Sequence, residues 1–218
     1  MFKILATTFS GLENVLVDEL TVLGIKDPKQ VRRGVIFTCG LEDLYRVNLW
    51  SRLALRFYKH ILDFSIEKPN DIYDAASTFN WWKMIGVDET FRIDTNVFSD
   101  LFNNPIYAAH LLKDAIVDQF RSRFSRRPSV EKHNPDFSIL LSVRRDEGAI
   151  WLDSSGDALF KRGYRVKSVK APINEVLAAG IIALSGWESN KPLVDPMCGS
   201  GTIPVEAALM GMNIPPQF

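Results

Sequence analysis

The sequence predicts an α/β protein, and three observations support this class. Short runs typical of strands alternate along the chain with longer runs in which apolar residues recur at helical spacing. The length of 218 residues suits one large or two modest domains, each long enough to bury a core. In the last part of the sequence, Val194–Thr202 has the pattern of a strand that enters a glycine-rich turn and then a helix.

The first part of the chain predicts a small α/β sandwich. A short strand at the start precedes a helix over Ser10–Gly24, in which we expect Ser10 to be the N-cap and Glu13 to complete a capping box. A second strand is predicted over Val31–Gly40 and a second helix over Leu41–Tyr58. The order strand, helix, strand, helix is typical of this architecture.

The middle and last parts predict a second unit and a further strand–helix pair. The second unit has these predicted elements: a strand at Glu89–Phe98, a helix at Asn104–Phe124 and a hairpin over Phe137–Gly156 that turns at Asp146–Gly148. After it come these segments: a basic connector at Leu159–Lys170, a helix at Ala171–Trp187 and a strand at Lys191–Pro196.

Composition excludes several classes of protein. Cys39 and Cys198 are the two cysteines, and the three histidines are far apart, so neither a disulfide framework nor a metal site is expected. There is no apolar run of membrane-spanning length and no signal peptide, which favours a cytoplasmic protein without a membrane partner. The net charge is zero, but residues 121–170 hold twelve Lys and Arg against six Asp and Glu. This excess predicts a locally positive face.

The segment Val194–Thr202 has the chemistry of a ligand-binding loop. Its glycines let backbone amides approach a ligand, and the start of the helix at Thr202 offers unpaired amides to a carboxylate. Asp195, at the end of the predicted strand, can accept hydrogen bonds from a ligand's amino group or orient the loop. The alternative is a tight turn that needs glycine only for packing.

The string "DPMCGSGT" (Asp195–Thr202) resembles motif I of the class I S-adenosylmethionine-dependent methyltransferases, in the form found in RNA methyltransferases with a THUMP domain. The similarity is greatest to the bacterial 23S rRNA guanine-N2 methyltransferase family. Further segments resemble that family in the same order: "ATTFSGLENVL", "DLYRVNLWSRLALR", "KDAIVDQF", "LDSSGDALFKRGYR" and "APINEVLAAGIIALSGW".

This resemblance implies three parts: an N-terminal ferredoxin-like domain (1–58), a THUMP RNA-binding domain (59–160), and a linker with the first elements of a Rossmann-like methyltransferase domain (161–218). It implies methylation of guanine N2 in 23S rRNA, with S-adenosyl-L-methionine as cofactor and large-subunit rRNA as partner. The residues expected at the cofactor are Pro172, Asp195, Pro196, Cys198, Gly199, Ser200, Gly201 and Thr202. Cys198 is expected to line the pocket as a small side chain.

For RNA, the expected contacts lie in the basic stretch. They are Arg126, Arg127, Lys161, Arg162, Tyr164, Arg165 and Lys167. The arginines that end the long helix have an alternative role, since cations there also favour the helix dipole. Trp81 and Trp82 could stack on bases, but packing in a core is the preferred interpretation.

Catalysis by this chain alone is not expected, because the family's "(N/D)PP(Y/F)" motif is absent and no catalytic residue is assigned. The segment "NIPPQF" has an extra Ile214 and directly follows the first helix of the methyltransferase part. Two alternatives stay open at this stage: a stand-alone THUMP RNA-binding module, and an adenine-N6 DNA methylase.

Overall fold

The computed structural model describes residues 1–165 and 172–217. The chain forms two compact units: unit 1 is Met1–Phe57 together with the residues from Asp157 onward, and unit 2 is Tyr58–Gly156. The described strands are β1 Phe2–Thr7, β2 Lys29–Val31, β3 Gly34–Cys39, β4 Arg56–Ser65, β5 Thr90–Phe98, β6 Ser129–Val130, β7 Phe137–Arg144 and β8 Glu147–Asp153. The described α-helices are α1 Glu13–Val22, α2 Leu41–Trp50, α3 Asp71–Thr78, α4 Pro105–Phe124, α5 Glu175–Leu184 and α6 Thr202–Gly211. The α/β class is confirmed.

In unit 1, the strands β2, β3 and β1 form an antiparallel sheet in that order. Leu16 and Leu20 of α1 pack against Ile4 and Val35 in one buried core cluster. Gly34 is required where β3 pairs with β1, because a Cβ atom there would lie 2.4 Å from the carbonyl oxygen of Ala6.

Two predictions in unit 1 are wrong. Ser10 does not cap α1: Gly11 turns the chain with a φ of +93°, and the helix begins two residues later without a side-chain cap. The carboxylate of Glu13 instead accepts hydrogen bonds from the amides of Gly11 (2.7 Å) and Arg33 (3.0 Å). The second helix ends at Trp50 rather than Tyr58, and the chain enters β4 from Arg56.

In unit 2, the strand order is β4, β8, β7, β5 and β6. β5 pairs in parallel with β6 and β7, while β7–β8 and β8–β4 are antiparallel. The core includes Trp81, which is fully buried and donates its indole N–H to the carbonyl oxygen of Ala76 at 2.8 Å. The preferred packing role of Trp81 is therefore confirmed, and the predicted strand, helix and hairpin of this part are present. The hairpin turns at Arg145 and Asp146 rather than at Asp146–Gly148, because Glu147 and Gly148 already pair in β8.

After the connector, α5 and α6 lie in contact with one another in unit 1. The strand predicted at Lys191–Pro196 is absent, which corrects that expectation: among the described residues no strand runs beside it, and Val194 is 84% exposed. A strand is stable only when a neighbouring strand accepts its hydrogen bonds. In the part of the chain that the structure describes, no helix is long and apolar enough to cross a membrane.

Candidate functional site

The loop before α6 has the form that the sequence predicts. The carboxylate of Asp195 accepts a hydrogen bond from the amide of Met197 at 3.1 Å, so this side chain orients the turn. The amide of Gly201 donates to the carbonyl oxygen of Cys198 at 2.7 Å, which closes the loop on itself. α6 then begins at Thr202, the predicted residue.

Three consecutive amides of the loop donate no hydrogen bond to any described residue, and these are the N–H groups of Cys198, Gly199 and Ser200. They precede the N-terminus of α6, where the helix has a partial positive charge. Unpaired amides at a helix start form a binding site for an anionic group such as a carboxylate.

The two glycines of the loop keep the space beside these amides open. Gly199 has a φ of +55° and Gly201 a φ of +78°, in the left-handed region that side chains rarely adopt. A Cβ atom on Gly201 would meet nothing within 4 Å. Packing therefore does not explain why glycine stands here. The remaining explanations are the backbone conformation and the open approach that it gives to a ligand. The loop therefore leaves room for a ligand carboxylate beside these amides.

The remaining cofactor candidates lie around this loop or beside it. Pro196 and Cys198 are exposed and Ser200 is half-buried, with its hydroxyl 3.3 Å from that of Thr202. Pro172 is half-buried just before α5, whose N-cap residue Asn174 accepts hydrogen bonds from the amides of the first turn.

Three of the predicted RNA-binding residues form contacts within unit 1, and for Arg162, which is buried, this corrects the expectation of a free basic surface. The side chain of Arg162 is 1% exposed, and it donates to the carbonyl oxygens of Leu159 and Arg52. Tyr164 donates its hydroxyl to Glu206 at 2.9 Å, and Arg165 forms an ion pair with Glu175 at 2.8 Å. Burial makes the guanidinium of Arg162 unavailable to phosphates, whereas Tyr164 and Arg165 are half-buried. Lys167 lies outside the described residues.

Sequence reasoning missed two carboxylates that accept hydrogen bonds inside unit 1. Glu206 is fully buried in α6, and burial raises its pKa although the charge of Arg162 opposes the shift. Glu19 of α1 is bonded by the Ser51 hydroxyl at 2.6 Å and by the Arg52 amide at 2.8 Å. A glutamate inside the apolar run "TIPVEAALMG" was the available signal for Glu206.

The other RNA candidates are exposed. Arg126 and Arg127 follow the C-terminus of α4 in unit 2, and Arg126 forms an exposed ion pair with Asp88. The guanidinium of Arg123 lies over the ring of Trp82, 3.8 Å from its centroid. Lys161, in unit 1, is exposed and pairs with Asp157 at 2.8 Å. Exposed pairs of this kind contribute little to stability and can exchange partners.

Family models match three consecutive parts of the chain. Residues 3–58 match the RlmL ferredoxin-like domain, residues 68–153 the THUMP domain, and residues 162–218 the RMKL-like methyltransferase domain. In the described residues, no group of three or more His, Cys, Asp or Glu could hold a metal ion.

Relatives and solved structures agree with this order of domains. The chain is 42% identical to the ribosomal RNA large subunit methyltransferase K/L of Aliivibrio salmonicida and 43% identical to that of Vibrio cholerae, over 99% of its own length. It spans 31% and 30% of those proteins.

Two crystal structures superpose on almost the whole chain. One, from Listeria monocytogenes, is described as a predicted N6-adenine-specific DNA methylase, with 32% identity and a TM-score of 0.87. The other is SMU.472, a putative methyltransferase complexed with SAH, with 34% identity and a TM-score of 0.85. Each covers 99% of this chain, which covers 57% of each. The chain therefore contains an RlmL ferredoxin-like domain, a THUMP domain and, over residues 162–218, a match to the RMKL-like methyltransferase domain.

Proposed function

We propose that this chain provides RNA recognition and the first cofactor-binding element for S-adenosylmethionine-dependent methylation of guanine N2 in 23S rRNA. The observation that supports this most directly is the row of amides at Cys198–Ser200, which donate to no described residue and lie at the start of a helix beside open space. The names of the K/L relatives and the SAH in SMU.472 point the same way.

The cofactor would be held by its amino-acid end. The amides of Cys198, Gly199 and Ser200 would donate to its carboxylate, and Asp195 would accept from its amino group while it orients the turn. When bound, S-adenosylmethionine supplies an electrophilic methyl group, and the protein supplies orientation. The residues Pro172, Pro196, Gly201 and Thr202 complete the proposed site.

The RNA contacts would come from exposed cations. We assign this role to Arg126, Arg127 and Lys161, which can exchange their surface carboxylate partners for phosphates. Recognition of RNA by shape requires several phosphate contacts, which Arg126 and Arg127 would supply in unit 2 and Lys161 in unit 1.

The cofactor assignment is tested by Gly201→Ala with Gly156→Ala as its matched control. Both glycines have positive φ, +78° and +69°, and a Cβ atom on either meets nothing within 4 Å, so both variants carry similar backbone strain. We expect only Gly201→Ala to abolish the chemical-shift changes that S-adenosylhomocysteine produces at Gly199 and Ser200. Equal loss in both variants, or no shifts in the wild-type chain, would refute the assignment.

RNA recognition is tested by filter binding of rRNA fragments and duplex DNA at several salt concentrations. We expect Arg126→Gln with Arg127→Gln to lower the slope of log affinity against log salt by about two, since each phosphate contact contributes roughly one. Preference for duplex DNA would favour the adenine-N6 DNA methylase suggested by the description of the Listeria structure. Binding of rRNA without any response to S-adenosylhomocysteine would favour a stand-alone THUMP module.

A further inference from the structure

Two polar side chains on one face of α6 are buried. Thr202 and Glu206 are one helical turn apart and are 2% and 0% exposed. Buried polar groups require hydrogen-bond partners, and here the partners come from a four-residue stretch of the connector, Arg162–Arg165.

Arg165 connects the starts of two helices. Its Nη2 atom donates to the Thr202 hydroxyl at 3.2 Å and to the carbonyl oxygen of Ile173 at 3.0 Å. The same atom lies 2.8 Å from a carboxylate oxygen of Glu175, in the first turn of α5. A cation near a helix N-terminus is unfavourable by itself, and the carboxylate of Glu175 neutralises it.

Arg162 and Tyr164 hold the next turn of α6. The Tyr164 hydroxyl donates to Glu206 at 2.9 Å, and Nε of Arg162 lies 3.5 Å from the same carboxylate oxygen. The guanidinium of Arg162 also donates to the carbonyl oxygen of Arg52 at 2.8 Å, so this contact reaches the ferredoxin-like part of unit 1.

The first turn of α6 has no side-chain cap. Its N-cap residue is Gly201, which has no side chain to cap the first turn, whereas Asn174 caps α5. Pro204, in the first turn, has no N–H group. A helix of ten residues is marginal in isolation, so its start must be held by tertiary contacts.

We propose that Arg162, Tyr164 and Arg165 are positioning residues that fix the first two turns of α6, and with them the direction of the Cys198–Ser200 amides. This inference rests on the proposed cofactor role of that loop. It replaces the RNA-binding role that their charge suggested. Arg162, Tyr164 and Arg165 then act on the proposed cofactor loop through α6, without contact to cofactor or RNA.

The test is amide hydrogen exchange of the 218-residue chain, with Tyr164→Phe, Thr202→Val and Thr202→Ser. We expect exchange in α6 from Val205 to Leu209 to rise on the order of fivefold to tenfold in the first two variants, the effect of one lost buried hydrogen bond. Thr202→Ser keeps the hydroxyl and should restore a rate near that of the wild type.

Tyr73→Phe is the matched control. It removes another hydrogen bond from a tyrosine hydroxyl to a carboxylate, 3.2 Å to Asp118, but in unit 2. It should speed exchange in α3 and α4 and leave α6 unchanged.

The inference is overturned if Tyr164→Phe and Thr202→Val leave α6 at the wild-type rate, or if Thr202→Ser exchanges as fast as Thr202→Val. The second readout is affinity for S-adenosylhomocysteine, which Tyr164→Phe should weaken severalfold without contact to the ligand. Wild-type affinity in that variant also overturns the inference. If the wild-type chain does not bind S-adenosylhomocysteine but hydrogen exchange in α6 still responds to the variants, the cofactor proposal is contradicted. The positioning of α6 by the connector residues is then supported.

Discussion

Gly180 offers the sharpest test of how α5 is packed. It lies inside α5, where alanine is intrinsically more favourable than glycine by about 1 kcal/mol. A Cβ atom on Gly180 would lie 2.4 Å from Cδ1 and 2.7 Å from Cδ2 of Leu12. Relaxed carbon–carbon contacts are about 3.5–4.0 Å, so the overlap exceeds roughly 1 Å.

Packing should outweigh propensity at this position. Leu12 is 3% exposed and has little room to move, and overpacking a core by a methyl group destabilises by about 1–3 kcal/mol. We therefore expect Gly180→Ala to lower the free energy of unfolding by roughly 1–2 kcal/mol after the gain in propensity. In a Leu12→Ala background the added methyl group has space. Gly180→Ala should then raise the free energy of unfolding by up to about 1 kcal/mol.

The measurement is denaturant unfolding followed by circular dichroism, with ΔΔG taken from midpoints at constant slope. Gly211→Ala is the control, because the added Cβ atom would meet Ser189 Cβ at 3.4 Å, an ordinary contact. A stabilising effect of Gly180→Ala in the wild-type background would contradict the reasoning, and so would the same sign in both backgrounds.

Two further predictions concern titration. Burial, reinforced by the charge of Asp43, raises the pKa of the Cys39 thiol to about 11. Iodoacetamide at pH 8 should therefore alkylate exposed Cys198 quickly and Cys39 only on unfolding, and S-adenosylhomocysteine should protect Cys198. Equal alkylation rates for the two thiols would refute this prediction. Hydrogen bonds from the Thr90 hydroxyl and amide hold the pKa of Asp136 below its ordinary value of 3.8. Its contribution to stability is therefore complete above that value and lost as pH falls through the folded pKa, so Asp136→Asn should flatten the acid side of the curve of stability against pH.

Local patterns predicted the elements that are stabilised by nearby residues. α4 begins at Pro105, behind an Asn104 cap that accepts from the Ile106 amide at 2.9 Å, and this boundary was readable from sequence. The absence of a strand at Lys191–Pro196 could not be predicted, because the residues of a segment do not show whether a neighbouring strand is present. Ser10 does not cap α1 because the chain turns at Gly11, and the carboxylate of Glu13 accepts the hydrogen bond from the Gly11 amide instead.

The candidate site, too, was predictable only in part. The form of the glycine loop could be predicted because it depends on local backbone conformation, which Gly199 and Gly201 determine. The roles of the basic residues could not, because Arg126 and Arg162 are chemically equal in sequence and differ only in exposure. Exposure is set by residues far along the chain: Arg162 is buried by Arg52 and Glu206, which lie 110 and 44 positions away.

The long-range contact between Arg162 and Arg52 helps to explain how α5 and α6 are fixed in unit 1. The backbone of Leu159 bonds to Leu55 at 3.0 Å, and the guanidinium of Arg52 donates to the carbonyl oxygen of Leu209 at 3.2 Å. Because residues 1–57 and those from Asp157 onward form one compact unit, the ferredoxin-like part supplies the surface on which α5 and α6 pack. The loop before α6 is thereby supported by residues at the other end of the sequence, so we expect substitutions at Arg52 to disturb this loop.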